Sequence, residues 1–328
     1  MPTPHNVLII GCGNIAGGFD SQRADEHDTP PLTHAGAYAR DPRFRLAACV
    51  EPDATRRQAF MQRWDVPQGV ARVEDVSGRI DVVSICSPTA LHATHLRAAL
   101  ALRPRLVFCE KPLSPTVDES EALVRACRDA GVLLAVAHNR RWDAAVERLA
   151  GELASGRWGE LRSVVGHYNK GVLNNGSHLV DLLHRLVGPL ELLAAGPAVH
   201  DHWDDDPSVP ALLRSAGGVP VHLSTTHAAD YALFELQIFT SRASITMEDG
   251  GLAWRVRERV PSAHFAGYHV LDAGSRHDGE VLHSTRRAIE NLHAALSDEA
   301  VLASSGDSAL AAQRLCEMIR RATLAGRA

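Results

Sequence analysis

The chain has 328 residues, 45% of them hydrophobic and 22% charged, with a formal net charge of −5. This composition is typical of a folded globular protein, and the length favours two domains of ordinary size. The acidic balance and the lack of a basic stretch argue against nucleic acid as the main partner. No apolar run has membrane-spanning length, and no charged and then apolar leader is present, so we expect a cytoplasmic protein without a membrane partner.

Six cysteines are spread along the chain without a CxxC pair, and several lie inside short apolar runs. We interpret them as small buried side chains in a reducing compartment, since neither disulfide nor zinc-site spacing is present. His92 and His95 have the spacing of metal ligands on a helix, but no third ligand is evident in the sequence. The sequence therefore predicts no metal site.

The first element is an apolar run at residues 7–10, which ends in a glycine-rich turn of the form G-x-G-x-x-A. The first glycine of such a turn allows a tight bend, and the second lets the backbone approach a pyrophosphate. The small third residue lets the next helix pack on the strand. This turn predicts a dinucleotide site, and its cofactor-binding residues are expected to be Gly11, Gly13, Asn14 and Ile15.

Further strands and helices alternate through the first half of the chain. Strands are predicted at residues 46–50, 82–86, 106–109 and 133–137, and helices at 54–64, 91–100 and 116–131. The last of these helices begins with a capping box at Thr116 and ends at Gly131. Alternation of this kind predicts a mostly parallel, doubly wound sheet, in a domain that covers residues 1–137.

Glu51 ends the second predicted strand, where an acidic side chain can accept hydrogen bonds from both adenosine ribose hydroxyls and repel a 2′-phosphate. It therefore favours NAD over NADP, although Arg56 and Arg57 follow it and could bind a 2′-phosphate. Glu51 lies about twice as far from the first glycine as the usual separation of roughly 20 residues. The surplus falls in residues 18–33, which we predict to be an inserted polar loop, with a helix resuming near His34.

Lys111 is the most informative residue of the first half. Only two of the 34 basic residues are lysines, Lys111 and Lys170. Lysine can exchange a proton whereas arginine cannot, and Lys111 follows a predicted strand, at the sheet edge where ligands bind in open α/β sheets. Chance survival in an arginine-rich sequence would explain the scarcity of lysine but not this position, so we predict a functional role.

The pattern changes from residue 161 onward. Strands at residues 221–225, 234–238 and 252–256 alternate in side-chain character, which is typical of an antiparallel sheet with one buried face. Two helices are predicted near the end of the chain, at residues 284–296 and 308–322. These elements predict a second, α+β domain over residues 138–328 with an open, mostly antiparallel sheet.

A second polar cluster lies between the two halves, at residues 168–183. If the chain is helical from Asn174, then Asn174, His178 and Asp181 share one helix face. Histidine exchanges protons near neutral pH, and His178 is surrounded by polar groups in an otherwise apolar segment. We therefore predict a proton-exchanging role for His178, within a substrate site formed by Lys170, Asn174, His178 and Asp181.

Together these motifs resemble the glucose–fructose oxidoreductase / inositol dehydrogenase (Gfo/Idh/MocA) family. The resemblance includes the glycine-rich turn, Glu51, Ser87-Pro88-Thr89 with His92, Glu110-Lys111-Pro112, Asn139-Arg140-Arg141 and residues 176–181. It implies an N-terminal Rossmann domain that binds NAD, a C-terminal domain that binds a carbohydrate or polyol, and assembly as a homodimer or homotetramer. It also implies cofactor contacts from Ser87, Pro88, Thr89, His92, Glu110, Lys111 and Arg141.

The implied reaction interconverts a secondary alcohol and a ketone on a sugar, inositol or nucleotide-sugar. Lys111 and His178 take the family's catalytic positions, with His178 as general acid or base and Lys111 stabilising charge on the oxygen. The family commonly has an aspartate where this chain has Asn174, which can bind a hydroxyl but cannot carry a proton. Two alternatives stay open: an NAD-dependent glycosidase of the same fold, and a non-catalytic NAD-binding protein.

The inserted loop and Lys170 add an expectation about the substrate. A polar loop leaving the phosphate turn can reach the substrate cleft, and Lys170, four residues before Asn174, would approach the same cleft from the second domain. Together they favour capture of an anionic sugar or a nucleotide-sugar. A solvated loop and a surface lysine are the alternative explanation.

Overall fold

The computed structural model describes residues 3–21 and 29–325. The chain divides into two compact units, Met1–Trp142 with Leu282–Leu310, and Asp143–Val281 with Ala311–Ala328. The sequence predicts one boundary, after residue 137, whereas in the structure a late segment returns to the first unit. The reason is burial: Ala288, Ile289 and Leu292 of that segment pack into a core of the first unit.

Nine helices lie in the described parts of the chain. They are α1 Phe19–Ser21, α2 His34–Ala39, α3 Ala54–Trp64, α4 Thr89–Ala101, α5 Val117–Asp129, α6 Ala144–Ala154, α7 Gly176–Val187, α8 Ser284–Leu296 and α9 Gly306–Ala325. The predicted capping residue Thr116 accepts a hydrogen bond from the Glu119 N–H at 3.3 Å, and Gly131 follows the end of α5 with a positive φ of 67°. Both end signals of α5 are therefore confirmed.

Six parallel strands form the sheet of the first unit, in the order β3-β2-β1-β4-β5-β6. They are β1 His5–Ile10, β2 Phe44–Val50, β3 Gln68–Val70, β4 Val82–Ile85, β5 Leu106–Cys109 and β6 Leu133–Val136. Val7 and Ile9 share a core with α2, α3 and α8, and Leu8 and Ile10 share another with α4 and α5. Helices thus cover both faces of the sheet, which explains the unbroken apolar strands and confirms the predicted doubly wound fold.

The stretch predicted as an inserted loop is partly helical. Residues Asn14–Gly18 form a π-helical turn, and α1 follows directly, so the chain is helical as far as Ser21. Residues 22–28 lie outside the described residues. The helix predicted to resume near His34 does begin there. Asp20 fixes the return of the chain, because its carboxylate accepts hydrogen bonds from the Leu32 and Thr33 N–H groups at 2.9–3.1 Å.

The second unit contains a nine-stranded sheet in the order β14-β13-β12-β11-β7-β10-β9-β8, with β15 beside β13. Its strands are β7 Leu161–Tyr168, β8 Leu190–Ala195, β9 Ala211–Ser215, β10 Pro220–Thr225, β11 Phe234–Thr240, β12 Ala243–Glu248, β13 Ala253–Pro261, β14 His269–Leu271 and β15 Ser275–Asp278. Only β7 and β10 pair in parallel among these strands. The predicted open, mostly antiparallel sheet is confirmed.

The predicted alternation holds on β11, where Leu236 and Ile238 are buried in a core that also contains side chains of α6, α7 and α9. It fails at Leu252, which precedes β13 and is 47% exposed. A short 3₁₀ turn, Asp249–Gly251, comes directly before this residue and delays the start of the strand. Leu252 therefore belongs to the turn and not to the buried face.

The six cysteines are all unpaired and buried, as the sequence predicts. In residues 3–21 and 29–325 no group of three histidine, cysteine, aspartate or glutamate side chains could hold a metal ion. Over the same residues, no helix combines the length and the hydropathy needed to cross a membrane.

Candidate functional site

The glycine-rich turn after β1 has the backbone geometry that a dinucleotide needs. Gly11 has a φ of 86°, and a Cβ at this position would lie 2.8 Å from the backbone nitrogen of Ser87. A Cβ on Gly13 would have no atom within 4 Å, so the turn is open at the point where a pyrophosphate would approach. Asn14 and Ile15 begin the helical turn that follows. These residues fit the phosphates of NAD.

Glu51 lies at the end of β2, beside a cavity of about 460 Å³ lined by Gly11, Glu51, Arg56, Ser87, Pro88 and His95, among others. Its two carboxylate oxygens accept hydrogen bonds from the N–H groups of Cys12 and Asp53, each at 3.1 Å. A carboxylate offers about four acceptor positions, so this support leaves capacity for ribose hydroxyls. Glu51 is thus held at the wall of a cavity in which adenosine could lie.

The two arginines after Glu51 differ in what they contact. Arg56 lines the cavity and forms an ion pair with Glu51 at 3.5 Å. Arg57 instead donates to the Glu51 backbone carbonyl at 2.6 Å. Of the two, Arg56 is therefore the side chain placed to meet a 2′-phosphate, and it is already paired with the acidic group.

The turn after β4, which contains Ser87, Pro88 and Thr89, is tied to the turn after β5 by His92. This histidine is 1% exposed, and its Nδ1 and Nε2 lie 2.9 and 2.8 Å from the carbonyl oxygens of Pro112 and Ser87. Since carbonyls only accept hydrogen bonds, a neutral ring donates to one of them and contacts the other, so the imidazole lies against backbone on both sides. Its contacts indicate that His92 shapes the cofactor site by holding the two turns.

Lys111 stands in the turn after β5, at the same sheet edge as Gly11, Glu51 and Ser87. The Lys111 N–H donates to Oε2 of Glu110 at 3.3 Å, and the peptide bond to Pro112 is cis. The second oxygen of Glu110 lies 3.1 Å from Nε2 of His34. Burial alone would raise the pKa of Glu110, but the His34 and Lys111 contacts outweigh it and lower that pKa below its ordinary value.

His34 is a site residue that the sequence did not predict. The sequence indicates His34 only as the place where a helix resumes after the insertion, and its contact with Glu110 joins residues 76 positions apart. Arg141, predicted to contact the cofactor, lies in a 3₁₀ turn after β6 and donates to the Ala303 carbonyl at 3.3 Å.

In the second unit, the predicted substrate residues begin in a tight turn. Lys170 has a left-handed backbone with φ of 61°, and its N–H donates to Asp201 at 2.8 Å. The N–H groups of Leu173 and Asn174 donate to the carboxylate of Asp206 at 2.8 and 2.9 Å. Burial raises the pKa of Asp206, and these two hydrogen bonds offset only part of that rise. Neither aspartate was predicted from the sequence.

Helix α7 begins at Gly176, two residues later than predicted, because Asn174 belongs to the π-helical turn Gly171–Asn175. His178 is half-buried in the first turns of α7. Asp181 is only 1% exposed. Its burial favours a role in orienting its neighbours over direct contact with a substrate. The facing of Lys111 and His178 across a nicotinamide stays a prediction.

Comparisons with known proteins agree with the fold and the motifs. Residues 5–138 match the oxidoreductase family with an NAD-binding Rossmann fold, GFO_IDH_MocA. Inositol 2-dehydrogenase of Rhizobium meliloti (strain 1021) is 25% identical over 309 residues, which cover 87% of this chain and 91% of that protein. The uncharacterized oxidoreductase YrbE of Bacillus subtilis (strain 168) is 32% identical over 112 residues, so the match covers 34% of this chain and only 33% of that relative.

Among solved structures, the WlbA dehydrogenase of Bordetella pertussis, in complex with NADH and UDP-GlcNAcA, superposes with a TM-score of 0.77. The match covers 99% of this chain and 98% of that one at 19% identity, which supports the fold alone. The family match, the nearly full-length relative and the Rossmann sheet with its glycine-rich turn agree. The chain resembles the Gfo/Idh/MocA family of NAD-binding oxidoreductases, whose model matches residues 5–138.

Proposed function

We propose that the protein is an NAD-dependent dehydrogenase that interconverts a secondary alcohol and a ketone on a sugar, inositol or nucleotide-sugar. The observation that carries this proposal is the place of Lys111, beside the dinucleotide turn at the carboxyl edge of the sheet. The name of the nearly full-length relative, inositol 2-dehydrogenase, supports a polyol substrate. The UDP-GlcNAcA in the WlbA complex supports a nucleotide-sugar as well.

NAD, when bound, would accept or supply the hydride at the carbinol carbon. The Lys111 ammonium donates a hydrogen bond to the substrate oxygen and stabilises the charge that develops there. His178 exchanges the hydroxyl proton, and because its Nδ1 is buried, Nε2 is the atom proposed to carry it. The Asn174 amide orients a substrate hydroxyl without proton transfer, and Lys170 pairs with a negative charge on the substrate.

The acidic wall at Glu51 supports NAD as the preferred cofactor. A 2′-phosphate would meet a carboxylate already fixed by two backbone N–H groups, and the nearby Arg56 charge is partly neutralised by that carboxylate. The family resemblance further supports a cytoplasmic location and assembly as a homodimer or homotetramer. Light scattering on the purified protein tests the oligomeric state.

The test is a spectrophotometric panel on purified protein with NAD and NADP in parallel. The panel contains inositols, simple glycosides, sugar acids and UDP-sugars, and the readout is nicotinamide reduction. We expect at least one polyol or sugar to give turnover with NAD, and a smaller rate with NADP. Glycoside cleavage without net reduction would instead indicate the glycosidase chemistry. Cofactor binding without conversion of any compound would contradict both activities.

A further inference from the structure

His34 begins helix α2 and is 2% exposed. Its Nδ1 lies 2.9 Å from the Ser84 hydroxyl, and its Nε2 lies 3.1 Å from Oε1 of Glu110. One face of the ring stacks on Phe108 of β5 at a centroid distance of 4.5 Å. The Tyr38 hydroxyl lies 3.2 Å from the Ser84 hydroxyl, so Tyr38 can donate to Ser84, Ser84 to Nδ1, and Nε2 to Glu110. The imidazole is therefore fixed in place, because both of its nitrogens lie within hydrogen-bond distance of a side chain.

Glu110 connects this histidine to Lys111. One carboxylate oxygen faces His34, and the other accepts the Lys111 N–H. This carboxylate interacts electrostatically with four titratable groups, namely His34, Lys111 and the thiols of Cys86 and Cys109. Burial, and after it the Glu110 charge, raises the pKa of both thiols, so they stay neutral. Among the residues that the structure describes, His34 and Lys111 are therefore the groups that stabilise this partly buried negative charge.

The start of α2 is itself anchored by the insertion. The Asp20 carboxylate is 6% exposed and accepts hydrogen bonds from the N–H and the hydroxyl of Thr33 at 2.9 and 2.6 Å. Thr33 then caps α2 by accepting the Gly36 N–H at 3.1 Å. A Cβ on Gly36 would collide with the Asp20 carboxylate. These contacts fix the residue before His34, so the segment that lengthens this chain also places the imidazole.

We propose, on the basis of the catalytic role proposed above for Lys111, that His34 is a positioning residue that holds Lys111 through the Glu110 carboxylate. Nε2 of His34 keeps that carboxylate ionised and oriented, and the carboxylate fixes the Lys111 backbone beside its own charge. His92 of α4 binds the Pro112 carbonyl on the other side of Lys111. The lysine thus stands between two residues that are each bound by a buried histidine.

Two substitutions separate this role from simple packing. In His34→Gln the side-chain amide reaches the place of Nε2 and can still donate to Glu110. In His34→Asn it reaches only the place of Nδ1 and the Ser84 hydroxyl. His293→Gln is the matched control, because His293 is a half-buried histidine of the same unit that lies against His5 and Phe44.

The rarity of lysine makes Lys111 directly observable. Reductive ¹³C-methylation labels Lys111, Lys170 and the α-amino group, and Lys170→Arg identifies the remaining side-chain signal. In an NMR pH titration, we expect the Lys111 midpoint of His34→Asn to differ from that of the wild type by about one pH unit, because the released Glu110 carboxylate changes its distance from the ammonium group and an ionised neighbour at close range shifts a titration by roughly one to three units. The midpoints of His34→Gln and His293→Gln should stay close to that of the wild type.

A wild-type midpoint in His34→Asn would overturn the inference, as would equal shifts in the Asn and Gln variants. The titration needs no substrate, so it is independent of the panel that tests the proposed function. If no alcohol is oxidised but the midpoints differ as expected, the proposed function fails and the coupling of His34 to Lys111 stands. Once a substrate is known, His34→Asn should lower kcat about tenfold with little change in KM, and His34→Gln should restore most of the loss.

Discussion

The two units of the chain hold their candidate functional residues in different ways. In the first unit the parallel sheet positions these residues. Gly11, Glu51 and Glu110 each come directly after a strand, and Ser87 comes two residues after the end of β4. Parallel strands that are neighbours end at the same edge, so residues far apart in sequence come together there. Buried side chains such as His34 then refine the positions that the backbone has set.

In the second unit the functional turn depends on a distant loop. The backbone N–H groups of residues 170, 173 and 174 donate to Asp201 and Asp206, which lie 31 to 33 residues further along the chain. Gly171 has a φ of 81° and leaves space for the Asp206 carboxylate, with which a Cβ would collide. The difference indicates that the candidate cofactor edge depends on the ends of the strands, whereas the candidate substrate turn depends on two individual aspartates.

The largest effect is expected from the two proposed catalytic side chains, one from each unit. Lys111→Met and His178→Ala should each lower turnover by at least about two orders of magnitude, because each removes charge stabilisation or proton transfer in the transition state. NADH binding, followed by fluorescence, should persist in both. His184→Ala on the same helix as His178 is the control. Turnover like that of the wild type in either variant would remove that residue from the mechanism.

The glycines of the two turns should differ from an ordinary glycine at a helix end. Gly11→Ala and Gly171→Ala each combine a positive φ with a steric clash, so we expect a loss of about 1–3 kcal/mol or more in the free energy of unfolding. Gly131→Ala has a positive φ but open space, and should cost about 1 kcal/mol. Urea denaturation measures all three, and equal losses would show that the clashes relax freely.

The fold was predictable where its signals are local. Helix α3 and strand β5 have the predicted bounds, because the Asp53 cap and the apolar run at residues 106–109 act within a few residues. The glycine-rich turn and Lys111 could be found for the same reason. The contact of His34 with Glu110 could not, since neither residue indicates the other until the sheet brings them together.

The support of the substrate turn was hidden for a related reason. Asp201 and Asp206 lie in an acidic stretch that looks solvated in the sequence, and only the fold of the second unit places their carboxylates against the backbone of residues 170–174. The predicted helix start at Asn174 was also two residues early. A π-helical turn continues directly into α7, and no change in residue type marks the boundary between them in the sequence.

Lys170 provides a smaller effect that tests the substrate side of the comparison. If the substrate is anionic, Lys170→Met should raise KM about tenfold, the loss expected from one charge-assisted hydrogen bond of roughly 1.5 kcal/mol, while kcat changes little. Lys170→Arg keeps the charge and is the control. Neutral sugars tested in parallel should show no change in KM. An unchanged KM for the anionic substrate would leave Lys170 as a surface residue.

The smallest expected effect is on the pH dependence of stability. One carboxylate of each unit, Glu110 and Asp206, should contribute to it, and the two contributions should have opposite signs. The pKa of Glu110 is lowered in the folded protein, so its contribution to stability is present above its ordinary value of 4.5 and is lost as pH falls through the folded value. The pKa of Asp206 is raised by burial, so its contribution is greatest below its ordinary value of 3.8 and declines as pH rises through the folded value.

Glu110→Gln and Asp206→Asn remove these ionisations while keeping similar side-chain shapes. We expect the stability of the wild type relative to Glu110→Gln to increase with pH in the acidic range, and that relative to Asp206→Asn to decrease. Urea denaturation at a series of pH values between about 3.5 and 7 gives both difference curves from one set of measurements. Curves of the same slope would mean that the two carboxylates lie in equivalent environments, because only opposite shifts of their pKa values can give slopes of opposite sign.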